Sequence, residues 1–275
     1  MITLTSGNGG NGRRLSRPTL LVAFCLSLLT GGTGEALIVD AELVLLVDNS
    51  VVVDATDFGE LLEGYAQAFE SGAIIDSLQT GVDGIAASLI LFGDVGTEVV
   101  AVPWMHITDS GTAGDFADAI RGVTQPAGGF FSSIATGLEF ATEQFGSETG
   151  NSGNGFESKV QAINLTTETV IFPAEGPGVV VAARDAALAD GVDVINGITV
   201  GTFLAAESTT FYETNVVAGI AGGVSGGVEN SSNGASLPTV ATTSLAGQII
   251  NMVPEPGTLM LLFLGVWPVV LRRRQ

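Results

Sequence analysis

Hydrophobic positions between residues 42 and 201 alternate between continuous apolar runs and the three-to-four-residue spacing of amphipathic helices. Continuous runs of this length are typical of strands that are buried on both faces of a parallel sheet. The runs predict strands at 42–48, 85–94, 97–107, 159–166 and 192–201, and the helical spacing predicts helices at 54–71, 111–123, 133–146 and 179–191. This alternation predicts a doubly wound α/β fold with a mostly parallel sheet.

Single residues refine this prediction. Pro103 has no backbone N–H, so the strand that contains it is expected at an edge of the sheet. Asp54 or Thr56 stands where it can cap the first helix. Beyond Asn215 the pattern fades, and residues 229–234 are predicted as a loop or linker, followed by a closing helix at 236–251.

The beginning of the chain has the layout of a secretory signal. Three arginines precede the apolar stretch 19–30, and small residues follow in GGTGEA. This order of basic, apolar and small residues is typical of exported proteins. The prediction is a signal peptide over residues 1–36 that is cleaved after Ala36, with a signal anchor that stays attached as the alternative.

The end of the chain combines three features in a fixed order. A Pro-Glu-Pro triplet (Pro254, Glu255 and Pro256) comes first, an apolar run at 258–271 follows, and a basic cluster (Arg272, Arg273 and Arg274) comes last. As a helix, the fourteen residues of the run would reach about 21 Å. That length is short of the ~30 Å hydrocarbon core of a bilayer. The arginines would stay on the cytoplasmic side. The segment can therefore engage a membrane but makes a poor permanent anchor.

This arrangement resembles the PEP-CTERM sorting signal of Gram-negative bacteria and departs from it at Pro268, which would kink a helix. The resemblance implies that signal peptidase removes the leader and that the membrane enzyme exosortase cleaves near the triplet. The protein would be held at the inner membrane until then, and would reach the cell surface or the extracellular matrix afterwards. The chain then divides into a signal peptide (1–36), an α/β domain (37–228), a linker and closing helix (229–252) and a sorting segment (253–275).

Removal of both ends would leave a strongly acidic body. Six of the nine basic residues lie in the two ends but only two of the 29 acidic residues do, so the body keeps a formal charge of −24. This charge excludes nucleic-acid binding, which needs Lys and Arg at the phosphates. It suits calcium-rich or polysaccharide surroundings outside a cell. Cys25 lies in the signal, so disulfides and thiolate chemistry are excluded from the body.

The first predicted strand runs into Asp48-Asn49-Ser50 and then into an Asp-capped helix, which resembles the first metal-binding loop of a von Willebrand factor A-type domain. The order VDNSVVVDATDF, FFSSIATGLEFA, GVDVINGITV and FYETNVV is similar to an uncharacterised bacterial branch of that superfamily, over residues 41–217. The resemblance implies a Mg²⁺ or Ca²⁺ site whose predicted ligands are Asp48, Ser50, Ser132 and Glu168. A carboxylate of a protein or exopolysaccharide partner would complete it.

The motif departs from the family pattern at several positions. Val52 stands where the family has a second serine, and Thr167 and Glu168 stand where it has an aspartate. Mg²⁺ demands near-ideal octahedral geometry, whereas Ca²⁺ accepts more varied coordination. A site with these changes is therefore expected to suit Ca²⁺ better than Mg²⁺. The alternative is a domain that has lost its site, in which Asp48 caps the following helix and Ser50 bonds to the backbone.

Catalytic chemistry has less support. His106 is the one histidine, and no G-x-S-x-G follows a predicted strand, so a Ser-His-Asp hydrolase is not indicated. Asp109, Asp115 and Asp118 follow helical spacing and are predicted to form a solvated face. The predicted function is a non-enzymatic surface or matrix binding protein. A purely structural matrix component and a secreted carboxylate-dependent hydrolase are the alternatives.

Overall fold

Strands and helices alternate in a computed structural model that describes residues 35–50, 53–81, 83–126, 131–168, 175–200, 205–231 and 236–253. Within these residues the strands are β1 (Leu37–Ile38), β2 (Ala41–Asp48), β3 (Ile85–Phe92), β4 (Val99–Ile107), β5 (Phe156–Glu157), β6 (Gln161–Glu168), β7 (Val194–Val200), β8 (Ala218–Ala221), β9 (Val224–Ser225) and β10 (Val228–Ser231). The helices are α1 (Ala55–Phe69), α2 (Gly72–Thr80), α3 (Ser110–Arg121), α4 (Ile134–Gln144), α5 (Pro177–Asp190), α6 (Ala205–Asn215) and α7 (Leu237–Met252), and a 3₁₀ turn covers Gly146–Thr149.

The main sheet has the order β4-β3-β2-β6-β7, and β8 and β10 share the outer edge of β7. β2 pairs in parallel with β3 and β6, and β6 pairs in parallel with β7. β4, which contains Pro103, is the antiparallel edge strand that the sequence predicts. The strand order reverses between β2 and β6, and ligands of such sheets bind beyond the carboxyl ends of the strands at this point. The predicted doubly wound α/β fold is confirmed. The sheet is mixed, because its central strands pair in parallel while β4 and β8 pair antiparallel.

β2 is buried along its whole length because helices cover both faces of the sheet. Leu43, Leu45 and Val47 join the core cluster formed with α1, α2, α3 and α7. The alternate residues Val44 and Leu46 join the cluster formed with α4, α5 and α6. A continuous apolar run in the sequence therefore indicates a central strand whose alternate side chains pack into two separate cores.

Asp54 caps helix α1. Its side chain accepts hydrogen bonds from the backbone N–H groups of Thr56 and Asp57 at 2.7 and 2.9 Å. Of the two caps that the sequence offers, Asp54 is therefore the one used. The helix also packs closely against α7. A Cβ atom on Gly64 would lie 2.8 Å from the Cα of Pro238, so the glycine permits this approach of the two backbones.

The last part of the domain corrects the sequence-based prediction. Residues 229–231, predicted within a loop or linker, belong to β10, whose Val228–Ser231 pairs in parallel with β7. The linker prediction is wrong there because pairing of the backbone with an open sheet edge needs no apolar pattern in the sequence VENS. The closing helix is confirmed as α7 and buries Leu245 and Ile249 in the core. Helices α2 and α6 and the short strands β8 and β9 were not predicted.

Residues 1–34 of the predicted signal peptide and the PEP-CTERM residues 254–275 lie outside the described residues. None of the helices in the described part of the chain is long and apolar enough to cross a membrane.

Candidate metal centre

One carboxylate and three hydroxyl groups converge at the carboxyl end of β2. Asp48 is the last residue of this strand and is only 1% exposed. Its Oδ1 accepts a hydrogen bond from the backbone N–H of Ser50 at 2.8 Å. Its Oδ2 accepts hydrogen bonds from the hydroxyls of Ser132 and Thr167, the latter at 2.5 Å. The Oγ atoms of Ser50 and Ser132 are 3.4 Å apart, which closes the cluster.

Ser132 reaches this cluster because the loop after β3 fixes both of its neighbours. The backbone N–H of Phe131 donates to Oδ1 of Asp94 at 2.9 Å. The backbone N–H of Ser133 donates to the carbonyl oxygen of Gly93 at 2.8 Å. These two bonds hold the start of α4 against the end of β3 and direct the side chain between them towards β2.

The end of β6 is held by a buried tyrosine on α1. The hydroxyl of Tyr65 donates to Oδ1 of Asn164 at 2.7 Å and is also hydrogen-bonded to Thr166. Tyr65 is fully buried, so an ordered partner for its hydroxyl is required. Because neighbouring residues of a strand face opposite sides, anchoring Thr166 to α1 leaves Thr167 on the side of Asp48.

Burial of Asp48 disfavours the charged form of its carboxyl. Burial raises the pKa of the Asp48 carboxyl above its ordinary value, and the hydrogen bonds from Ser132, Thr167 and Ser50 oppose this rise. Burial and the nearby Asp48 charge also raise the pKa of Tyr212 well above its ordinary value. A cation beside Asp48 would favour the ionised carboxylate, since an opposite charge lowers the pKa of an acid.

These residues fit a hard divalent cation, because Mg²⁺ and Ca²⁺ prefer carboxylate and hydroxyl oxygens. Neither at Asp48 nor elsewhere do the described residues contain a group of three or more His, Cys, Asp or Glu side chains that could hold a metal. A cation at Asp48 would therefore be held by one carboxylate and by the hydroxyls of Ser50, Ser132 and Thr167. The low charge of this ligand set is expected to give weak affinity.

Three of the four predicted ligands lie together in this cluster. The fourth, Glu168, is the last residue of β6, and its side chain is outside what the structure describes. Its neighbour Thr167 makes the contact with Asp48, so a threonine hydroxyl stands in the place where the family has an aspartate. The metal-binding role of all four remains a prediction. In the alternative of a domain that has lost its site, the expected capping of the next helix by Asp48 is wrong, because Asp54 caps it. The loss of the site itself stays open.

Two residues near the cluster were not predicted. Tyr212 on α6 is fully buried, and its ring packs on Gly197, where a Cβ atom would lie 2.5 Å from the ring. Glu175, just before α5, accepts hydrogen bonds from the Oγ of Ser133 and the backbone N–H of Ala135. Tyr212 and Gly197 lie in the quoted segments FYETNVV and GVDVINGITV, but no periodicity marks their contact or that of Glu175. Both contacts depend on how parts of the chain that are distant in sequence are brought together.

The other candidates have structural roles. The Nε2 of His106 lies 2.8 Å from the carbonyl oxygen of Asp83. Asp109 caps α3 by accepting hydrogen bonds from the backbone of Gly111 and Thr112. Asp115 and Asp118 are exposed, which confirms the predicted solvated face.

Solved structures of low sequence identity are similar to this chain in fold. A von Willebrand factor type A protein from Catenulispora acidiphila matches with a TM-score of 0.51 and 13% identity, over 77% of this chain and 43% of that chain. Proximal thread matrix protein 1 from the mussel byssus, solved with a zinc occupied MIDAS motif, matches with a TM-score of 0.50 and 17% identity, over 79% of this chain and 49% of that chain. The chain thus spans about half the length of these proteins or less. It has a von Willebrand A-like α/β fold.

The family is shown by a separate match. Residues 38–227 match the family described as "Protein of unknown function (DUF1194)", and this range covers most of the chain. The chain belongs to that family. No curated protein matches the chain.

Proposed function

We propose that this protein is an exported, non-enzymatic binding protein whose von Willebrand A-like domain binds a divalent cation at Asp48 and, through it, an acidic partner. The observation that carries the proposal is the buried Asp48 carboxylate, which accepts hydrogen bonds from Ser132 and Thr167 at the point where the strand order reverses. The mussel matrix protein, which has a similar fold and was solved with a zinc occupied MIDAS motif, supports a divalent cation site in a fold of this kind.

Each residue would have a defined task in this proposal. The hydroxyls of Ser50, Ser132 and Thr167 would hold the cation, and Asp48 would supply negative charge. When bound, the cation supplies the positive charge that a partner's carboxylate needs. A body with a formal charge of −24 otherwise repels acidic surfaces, so the cation would be the means by which it engages an acidic protein or exopolysaccharide.

A cation titration of the purified protein tests this function. Mg²⁺ or Ca²⁺ is expected to raise the melting temperature, because a ligand that binds only the folded state stabilises it. The Asp48→Ala variant is expected to lose this shift. A shift no larger than in matched NaCl, or one of equal size in Asp48→Ala, would instead support a purely structural matrix component that has lost its site.

Export and sorting form a separate part of the proposal. The basic-apolar-small order at the start and the Pro-Glu-Pro, apolar and arginine order at the end support processing by signal peptidase and exosortase in a Gram-negative bacterium. Deletion of Pro254 to Gln275 is expected to change the fraction of protein retained at the cell surface. Unchanged retention would contradict the sorting signal and leave the cation site unaffected.

A further inference from the structure

The Asp48 cluster contains a single carboxylate, and a second one lies across two adjacent serines from it. Ser132 donates to Oδ2 of Asp48, and Ser133 donates to Oε1 of Glu175 at 3.1 Å. Consecutive Cα atoms are about 3.8 Å apart, so the two serines form a short bridge between the two carboxylates. Glu175 is half-buried, and its charge is therefore screened less than that of an exposed side chain.

Glu175 is held in place by the start of α4. Ser133, the N-cap residue of this helix, makes no capping bond with its own side chain. Instead, Oε1 of Glu175 accepts a hydrogen bond from the backbone N–H of Ala135 at 2.6 Å. Carboxylates are stabilised at helix N-termini, where N–H groups lack partners within the helix. The bond fixes a negative charge at Ser133, the neighbour of Ser132, whose hydroxyl belongs to the cluster.

We infer that Glu175 supplies the second negative charge of the cation site, in place of the acidic residue that Thr167 replaces. The inference rests on the proposed cation site at Asp48. It assigns to Glu175 an electrostatic effect on the cation in addition to its hydrogen bonds with α4. The charge comes from the segment before α5, whereas the predicted ligand set took its second carboxylate from the end of β6.

The decisive variant is Glu175→Gln. A glutamine oxygen can still accept the bonds from Ser133 and Ala135, so the contact with α4 is kept while the charge is lost. Isothermal titration calorimetry with Mg²⁺ and with Ca²⁺ measures the effect. Loss of one negative charge beside a divalent cation is expected to weaken its binding about tenfold. The melting temperature of the cation-free variant is expected to stay near that of the unaltered protein.

Glu139→Gln is the matched control. Glu139 is an exposed residue of α4, the helix whose start Glu175 contacts, so its replacement removes the same charge near that helix without touching the cluster. Its cation affinity is expected to be unchanged. Equal affinities of Glu175→Gln and the unaltered protein would overturn the inference and assign Glu175 a structural role alone, while the cation site would stand. No cation binding by the unaltered protein would overturn the site and the inference together.

Discussion

The hydroxyl of Thr167 donates a 2.5 Å hydrogen bond to Oδ2 of Asp48 and so joins the ends of the two central strands, β6 and β2. Thr167 contributes a neutral hydroxyl to this contact, and Asp48 contributes a carboxylate. In the von Willebrand A-type motif that the sequence resembles, an aspartate belongs where Thr167 and Glu168 stand. The threonine therefore keeps the cluster hydrogen-bonded without adding a second buried charge.

Replacement of Thr167 by aspartate is expected to lower the stability of the cation-free protein and to raise its affinity for the cation. Two carboxylates would then face each other in a buried site, and without a cation their repulsion would lower the free energy of unfolding by about 1–3 kcal/mol. With Mg²⁺ or Ca²⁺ the added charge would strengthen binding by about tenfold or more. Urea denaturation and isothermal titration calorimetry measure the two effects.

Thr167→Asn is the control for this change, because it has nearly the shape of aspartate but no charge. It is expected to bind the cation no better than the unaltered protein. If Thr167→Asp and Thr167→Asn have the same affinity, the place beside Asp48 is not a ligand position. In a Thr167→Asp background, Glu175→Gln is expected to have a smaller effect, since the site would already hold two charges.

Two glycines on α1 are expected to respond in opposite ways to alanine. A Cβ atom on Gly64 would lie 2.8 Å from the Cα of Pro238 and 2.9 Å from the Cβ of Ala241, so Gly64→Ala would push α7 away. Overpacking of this kind costs about 1–3 kcal/mol. Gly59 has nothing within 4 Å of the same position, and Gly59→Ala is expected to stabilise the helix by up to about 1 kcal/mol. Urea denaturation of both variants checks the prediction, and destabilisation of equal size in the two would contradict it.

The stability of the domain is expected to fall as the pH rises. Glu42 at the start of β2 is fully buried, and burial together with Glu148 raises its pKa from 4.5 to about 8. Asn154 and Ser158 donate hydrogen bonds to its two carboxyl oxygens and oppose this rise. Between about pH 4.5 and 8 the folded state holds a proton that the unfolded state has released.

The sign of the effect follows from this difference. Where the folded state binds one more proton, the free energy of unfolding falls by about 1.4 kcal/mol per pH unit. The loss is complete once the pH passes the raised pKa of about 8. Glu42→Gln carries no ionisable proton and is expected to flatten the profile and to be the more stable protein at pH 8. Identical slopes for the two proteins between pH 5 and 8, measured by urea denaturation, would rule out Glu42 as the source.

Tyr65→Phe is expected to loosen the end of β6. The variant removes the hydroxyl that bonds to Asn164 and Thr166 and leaves buried polar groups without that partner. The expected cost is about 1–3 kcal/mol in the free energy of unfolding. Thr167, whose hydroxyl contacts Asp48, is the next residue after Thr166. Loss of the bond to Thr166 is therefore also expected to lower the cation affinity of the proposed site. Unchanged stability in urea denaturation would show that the hydroxyl makes no net contribution.

The central strands and the helices that follow them could be predicted because their signals are local. The run Ala41–Asp48 is apolar on both of its faces, and Phe58, Leu61 and Tyr65 repeat at the spacing of one helix face. The predicted ligands Asp48 and Ser50 follow directly from the end of that run. In contrast, β10 was predicted as a linker, because pairing with an open edge of β7 leaves no apolar signature.

The sequence by itself determined the alternation of strands and helices, the cap of α1 as Asp54 or Thr56, and the end of β2 at Asp48. It did so because burial and capping act over a few consecutive residues. Only the tertiary structure decided that Thr167 contacts Asp48 and that Glu175 contacts the start of α4. These contacts join residues 119 and 40 positions apart. Loop conformation and strand register set their distances, and neither leaves a periodic trace in the chain.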